Sequence, residues 1–143
     1  MRYLLVDGHS VIFAWPELRK LHARRMVLAR DELVKILTEY QDSSGVRVVA
    51  VFDGKGVSNT EESQPGGIQV FYSAGKLSAD SIIERLVAKY GKEHDMTVVT
   101  NDHMEQQTVI TFGAQAISTD SLRDLLEDAA ADLARRLKAH RRK

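Results

Sequence analysis

The 143-residue sequence predicts an α/β fold, with a mostly parallel central sheet of about five strands covered on both faces by helices. Three observations predict it. Short apolar runs recur at 2–6, 46–52, 68–72 and 96–100, with a weaker one near 114–117. Helical spacing fills the gaps between the runs. Three of the runs lead directly, or through one polar residue, into an aspartate: Asp7, Asp53 and Asp102.

Taken in order, the run at 2–6 gives way to Asp7-Gly8, and Pro16 suits the first turn of a helix, where its missing N–H costs nothing. Leu33, Ile36, Leu37 and Tyr40 continue an apolar stripe at helix spacing until Ser43, Ser44 and Gly45 stop it. After the second run, 54–67 has no periodicity and reads as a mobile loop, of the length that in compact domains often carries function. Ser78 can cap a helix whose inner face is Ile82, Ile83, Leu86 and Val87, ended by Gly91. A short helix is expected over 102–112, with Met104 and Phe112 facing the core, and a last one from Asp120 into a basic tail at 134–143.

Composition bounds the class. The length suits one domain, with no internal repeat or linker, and an apolar share of 43% with 28% charged is that of a globular protein. The absence of cysteine excludes disulfide scaffolds, thiolate zinc sites and a cysteine nucleophile. No window resembles a signal segment or a membrane span, so a cytoplasmic protein is expected, with no membrane partner.

Twenty basic and twenty acidic residues cancel, yet their placement is uneven. Arg19, Lys20, Arg24, Arg25 and Arg30 are opposed by few acids, and Arg135, Arg136, Lys138, Arg141, Arg142 and Lys143 crowd the tail. Such clusters can hold phosphate backbones; they also serve as plain solvated faces.

Ligands of open parallel sheets bind beyond the carboxyl ends of the strands. Asp7, Asp53 and Asp102 belong at that edge. Asp80 opens the helix after the third strand, so it joins them, and Glu84 follows one turn later on the same face. Each acid alone has an ordinary reading as a turn residue or helix cap. Gathered together they repel: two unit charges about 4 Å apart cost about 4 kcal/mol at an effective dielectric of about 20. Lys55 is the one nearby cation in sequence, and His9 and His103 the nearby histidines. Hard divalent cations with oxygen ligands, Mg²⁺ or Mn²⁺, are the economical compensation, and they need no side-chain nucleophile to hydrolyse a phosphodiester.

The series L-L-V-D-G-H-S-V-I at 4–12, A-R-D-E-L at 29–33, V-V-A-V-F-D-G at 48–54, S-A-D-S-I-I-E-R at 78–85 and V-V-T-N-D-H-M-E-Q at 98–106, followed by F-G-A, resembles the YacP-type NYN domain, a branch of the PIN-like nucleases. The resemblance implies a PIN-like three-layer sandwich, a site for Mg²⁺ or Mn²⁺ built from Asp7, Asp53, Asp80 and Asp102 with Glu84 as a further ligand, and endoribonuclease activity, in some bacterial members on messenger RNA held at the ribosome. It places Arg30 either on RNA or as a tie between helix and sheet, and gives Thr100 and Asn101 the turn that presents Asp102. Ser10, Arg24, Arg25, Arg30, Lys76 and Asn101 are the expected RNA contacts. One departure stands out: the family's D-G-Y-N is D-G-H-S here, so His9 and Ser10 replace a tyrosine and an asparagine. A serine keeps one hydroxyl but loses the two-ended amide.

The alternative is an RNA- or ribosome-binding module that retains the acidic pocket. A signalling receiver domain needs adjacent acids after its first strand and a late lysine, whereas here Gly8 and His9 follow Asp7 and 108–116 has no lysine, and no G-x-G-x-x-G marks a dinucleotide site. Trp15 beside Pro16 could stack a base but reads better as a packing anchor.

Overall fold

The computed structural model describes residues 1–54, 60–63, 67–74 and 77–141, the stretch 60–63 by its backbone. Twelve elements follow one another: β1 (Arg2–Asp7), α1 (Gly8–Ala14), α2 (Pro16–Arg24), α3 (Met26–Ser44), β2 (Arg47–Asp53), β3 (Thr60–Ser63), β4 (Gln69–Ser73), α4 (Ala79–Tyr90), β5 (Asp95–Val99), α5 (His103–Thr111), β6 (Gln115–Ile117) and α6 (Thr119–Arg141). The six strands form one sheet in the order β3-β4-β2-β1-β5-β6. Five run parallel, and β3 adds an antiparallel edge on β4, with Thr60 opposite Tyr72.

Strand alternation sorts the core into two layers. Leu4, Val6, Val48, Ala50 and Phe52 face α1, α2, α3 and α6, where they meet Val11, Ile12, Leu18, Leu33, Leu37 and Leu122. Leu5, Val49, Val51 and Val98 face the other way, onto Ile82, Ile83 and Val87 of α4 and Val109 of α5. Each fully buried Leu, Ile or Phe contributes roughly 1.5–3 kcal/mol relative to exposure. Asp7 and Asp53 share the parity of Leu5 and Val51, so the pleat turns both toward the α4 side.

The three-layer expectation and the five parallel strands are found, with four differences. Part of the expected loop at 54–67 is strand β3, which its polar T-E-E-S gave no reason to expect; the rest of that loop, apart from Gly54 and Gly67, lies outside the described residues. The turn after Asp7 is a helix, α1. The long helical stretch after Pro16 is two helices, parted at Arg25, whose φ of −157° is extended. Met104 and Phe112, expected in the core, are exposed, Met104 by 81%. Trp15 is buried, as the packing reading requires; its Nε1 donates to the Thr119 carbonyl and the Arg123 guanidinium lies over its ring. Among the described residues no helix is long and apolar enough to cross a membrane.

Candidate active site at the carboxyl edge

β1 has β2 on one side and β5 on the other, and the chain reaches β5 by crossing over from β4 through α4. This reversal of direction beside β1 opens the crevice in which α/β proteins hold ligands. Asp7 ends β1, Asp53 ends β2, Asp102 follows β5 and Asp80 lies in the first turn of α4. All four predicted aspartates therefore meet at one edge of the sheet.

The two Asp-Gly pairs are close-approach sites rather than simple turns. A Cβ on Gly8 would sit 2.3 Å from the Phe52 ring, and one on Gly54 would sit 2.5 Å from the Ser73 carbonyl oxygen. Only glycine lets α1 start at once after β1 and keeps the Asp53 strand end against β4.

Each acid is held differently. Asp7 is 7% exposed and accepts a hydrogen bond from Ser10 Oγ at 2.9 Å. Burial raises its pKa above the ordinary carboxylate value, and the Ser10 bond opposes that rise. Asp53 uses Oδ1 to accept from Ser73 Oγ (3.2 Å) and from the Ala79 N–H (2.9 Å), which pins the start of α4. Its Oδ2 lies 3.4 Å from His9 Nε2. Asp102 caps α5, accepting from the N–H groups of Met104 (2.9 Å) and Glu105 (3.3 Å) through Oδ1. Ser78 caps α4 by accepting from the Ser81 N–H at 3.2 Å, as its sequence position predicts.

Asp80 carries the electrostatic signature of the cluster. Burial, then the charges of Asp7, Asp102, Glu84 and Asp53, push its carboxyl up to about 6. A further acid, absent from the sequence expectations, completes the group. Glu105 of α5 is 4% exposed, shares a hydrogen bond with Glu84, and is pushed up to about 8 by burial, that bond and the charges of Asp80, Glu84 and Asp102. Its Oε1 is buried with no hydrogen-bond partner. The sequence signal was available: Glu105 stands four residues before Val109, on the buried face of α5. An acid three residues after a capping Asp, however, reads as the second half of a capping box.

The predicted RNA contacts divide. Ser10 is a junction, donating to Asp7, 3.4 Å from Thr100 Oγ1 and accepting from the Asn101 N–H at 3.4 Å. Asn101 commits both ends of its amide to Thr119, donating to Oγ1 (2.9 Å) and accepting from the N–H (3.0 Å), which anchors the turn before Asp102 to the start of α6. Arg30 donates to the Asp53 carbonyl at 2.6 Å and lies over the Phe52 and Tyr72 rings, tying α3 to the sheet. Arg24 and Arg25 are exposed and form no ion pair among the described residues. Lys76 and Lys55 lie outside the described residues. In the basic tail, Arg135 and Arg136 pair with Asp132.

An all-oxygen set of Asp7, Asp80, Asp102, Glu84 and Glu105 suits a hard divalent cation, and the unpartnered buried Glu105 oxygen is the atom such an ion would satisfy. Among the described residues no three His, Asp or Glu side chains already stand in a coordinating arrangement. An ion held here would have to draw these carboxylates inward.

The sheet order and the acidic carboxyl edge are those of a PIN-like, nuclease-type domain. Comparison with known proteins names the branch: residues 4–143 match the YacP-like NYN domain, and the chain belongs to that family. It is 36% identical over 130 residues to the uncharacterized protein YacP of Bacillus subtilis (strain 168), an alignment covering 90% of this chain and 75% of that protein. The crystal structure of the W164L mutant of Rae1 (YacP) from Bacillus subtilis is similar to it with a TM-score of 0.83 at 30% identity, over 100% of this chain and 86% of that one. A second Rae1 (YacP) crystal structure from the same organism gives 0.79 at 33% identity, over 97% and 81%.

Proposed function

We propose that the protein is a divalent-metal-dependent endoribonuclease acting on single-stranded RNA in the cytoplasm, messenger RNA at the ribosome included. The observation that carries this reading is the convergence of Asp7, Asp80, Asp102, Glu84 and Glu105 at the crevice, where burial and then the neighbouring acids raise Asp80 to about 6 and Glu105 to about 8. When bound, Mg²⁺ or Mn²⁺ supplies Lewis-acid polarisation of a phosphoryl oxygen and offsets the charge that builds up there. Asp7 and Asp80 would hold the ion, with Asp102 offering the oxygen its cap leaves over and Glu84 and Glu105 as further carboxylates. Ser10 orients Asp7. Asp53 serves the site by fixing the start of α4, and hence Asp80, through the Ala79 N–H. Arg24, Arg25, Lys76 and the tail cations hold phosphates, contacts that position RNA without reading its sequence.

A second reading, an RNA- or ribosome-binding module with a vestigial pocket, draws on the D-G-H-S motif and on the absence of a preformed coordinating trio among the described residues. Incubating end-labelled single-stranded RNA with Mn²⁺ or with EDTA, using Asp102→Asn as control, separates the two. Cleavage that requires metal and is lost in the variant supports the nuclease. RNA that is retained but never cut supports the binder and rejects the nuclease.

A further inference from the structure

An aromatic ladder leaves the acidic edge, and none of its members serves the acids' hydrogen-bond network beyond the first. His9, whose Nε2 lies 3.4 Å from Asp53 Oδ2, packs edge-on against Phe13, with ring centroids 5.2 Å apart and planes at 61°. Phe13 in turn meets His22 of α2 at 4.8 Å and 62°. Phe13 is 45% exposed although it lies on α1 beside the fully buried Val11 and Ile12. A phenylalanine held between two ring neighbours and about half exposed offers its ring as a stacking platform, since every nucleobase presents a π-face to it.

The charge around the ladder fits a polyanion. Arg19 lies one turn before His22 on α2, and Lys20, Arg24 and Arg25 are nearby in the chain. All four are exposed and unpaired with an acid among the described residues. The acids lie at one end of the ladder and the cations at the other. A phosphate backbone running between them would pass its base over Phe13.

We infer that Phe13, braced by His9 and His22, is a base-stacking subsite that docks one unpaired nucleobase of single-stranded RNA next to the phosphate presented to the acidic edge. This rests on RNA being the ligand of that edge and adds the requirement for an unstacked base, so a continuous duplex is rejected. The ring stacks without reading base identity, and preference at this position follows stacking strength, purine over pyrimidine.

Single-stranded RNA oligomers, each carrying 2-aminopurine at one position, provide the test when bound in EDTA, where no hydrolysis occurs. The expected result is quenching confined to one position, lost in Phe13→Leu, kept in Phe13→Tyr, and accompanied in Phe13→Leu by an affinity loss of roughly tenfold. Removing the base at that position should cost the same, and the two changes should not add. An unchanged melting temperature for Phe13→Leu, whose ring is half exposed, excludes misfolding. Quenching that Phe13→Leu leaves intact, no position-specific quenching, or no RNA binding overturns the subsite. Hydrolysis with Mn²⁺ is scored separately: RNA that stacks on Phe13 but is never cut rejects the nuclease and keeps the subsite, and RNA cut without stacking does the reverse.

Discussion

Glu84 of α4 and Glu105 of α5 share a hydrogen bond between their carboxyl groups, across the junction of two helices that both start at the same edge of the sheet. Two carboxylates cannot make that bond without a proton. Burial first, then that bond and the charges of the neighbouring acids, push Glu105 up to about 8, and a proton shared between neighbouring acids is also what a dication would replace.

The first consequence is a pH dependence of stability. Glu105 rises from 4.5 to about 8 and Asp80 from 3.8 to about 6, so between these limits the folded chain holds protons that the unfolded chain has released. Stability present at low pH is then lost as pH rises through the folded values. Without divalent metal, the melting temperature should fall from pH 5 toward pH 8.5. Glu105→Gln should flatten that fall and melt higher than the parent at pH 8, by roughly 3 °C or more for a gain of about 1 kcal/mol. Parallel curves for the two proteins would count against a buried proton at Glu105.

Metal binding should release protons. Because Asp80 and Glu105 must ionise fully to act as ligands, affinity for Mn²⁺ should increase between pH 6 and pH 8, and its calorimetric enthalpy should shift with the ionisation enthalpy of the buffer. A pH-independent, buffer-independent titration contradicts the placement of the ion among these acids.

Ser10→Ala removes the hydroxyl that joins Asp7 to the Thr100–Asn101 turn. The lost hydrogen bonds should cost roughly 1 kcal/mol in chemical denaturation. The same bond lowers the Asp7 pKa, so its loss raises that pKa further and should move the acid limb of metal-dependent cleavage to higher pH. An unshifted limb would leave Ser10 with a purely structural part.

Gly8→Ala should be among the most damaging small substitutions, because its methyl group would enter the Phe52 ring at 2.3 Å in a packed layer. Overpacking of this kind costs about 1–3 kcal/mol. Equilibrium denaturation checks it, and a neutral result would mean that Phe52 can rotate away.

Much of this site was legible in the chain. The apolar runs ending in Asp7, Asp53 and before Asp102 are local signals, because a parallel strand buried on both faces must be continuously apolar and its end must be polar. Ser78 and Gly91 marked α4 for equally local reasons. What escaped was tertiary. Strand β3 is four polar residues recognisable as a strand through their pairing with β4. The break at Arg25 has neither glycine nor proline, and α1 is seven residues long, too short for a periodic signal. Glu105 carries the commonest local reading of an acid at that helix position, and only the approach of α4 turns it into part of the cluster. Met104 and Phe112 are apolar residues on a helix whose outer face stays open, which composition alone does not reveal.

The most direct test is anomalous scattering from crystals soaked in Mn²⁺. The expected result is a peak in the crevice beside β1, within about 2.0–2.6 Å of carboxylate oxygens from Asp7 and Asp80, with Glu105 or Asp102 drawn toward it. Crystals that diffract with no peak at this edge, or with manganese bound only elsewhere, contradict a metal-dependent site.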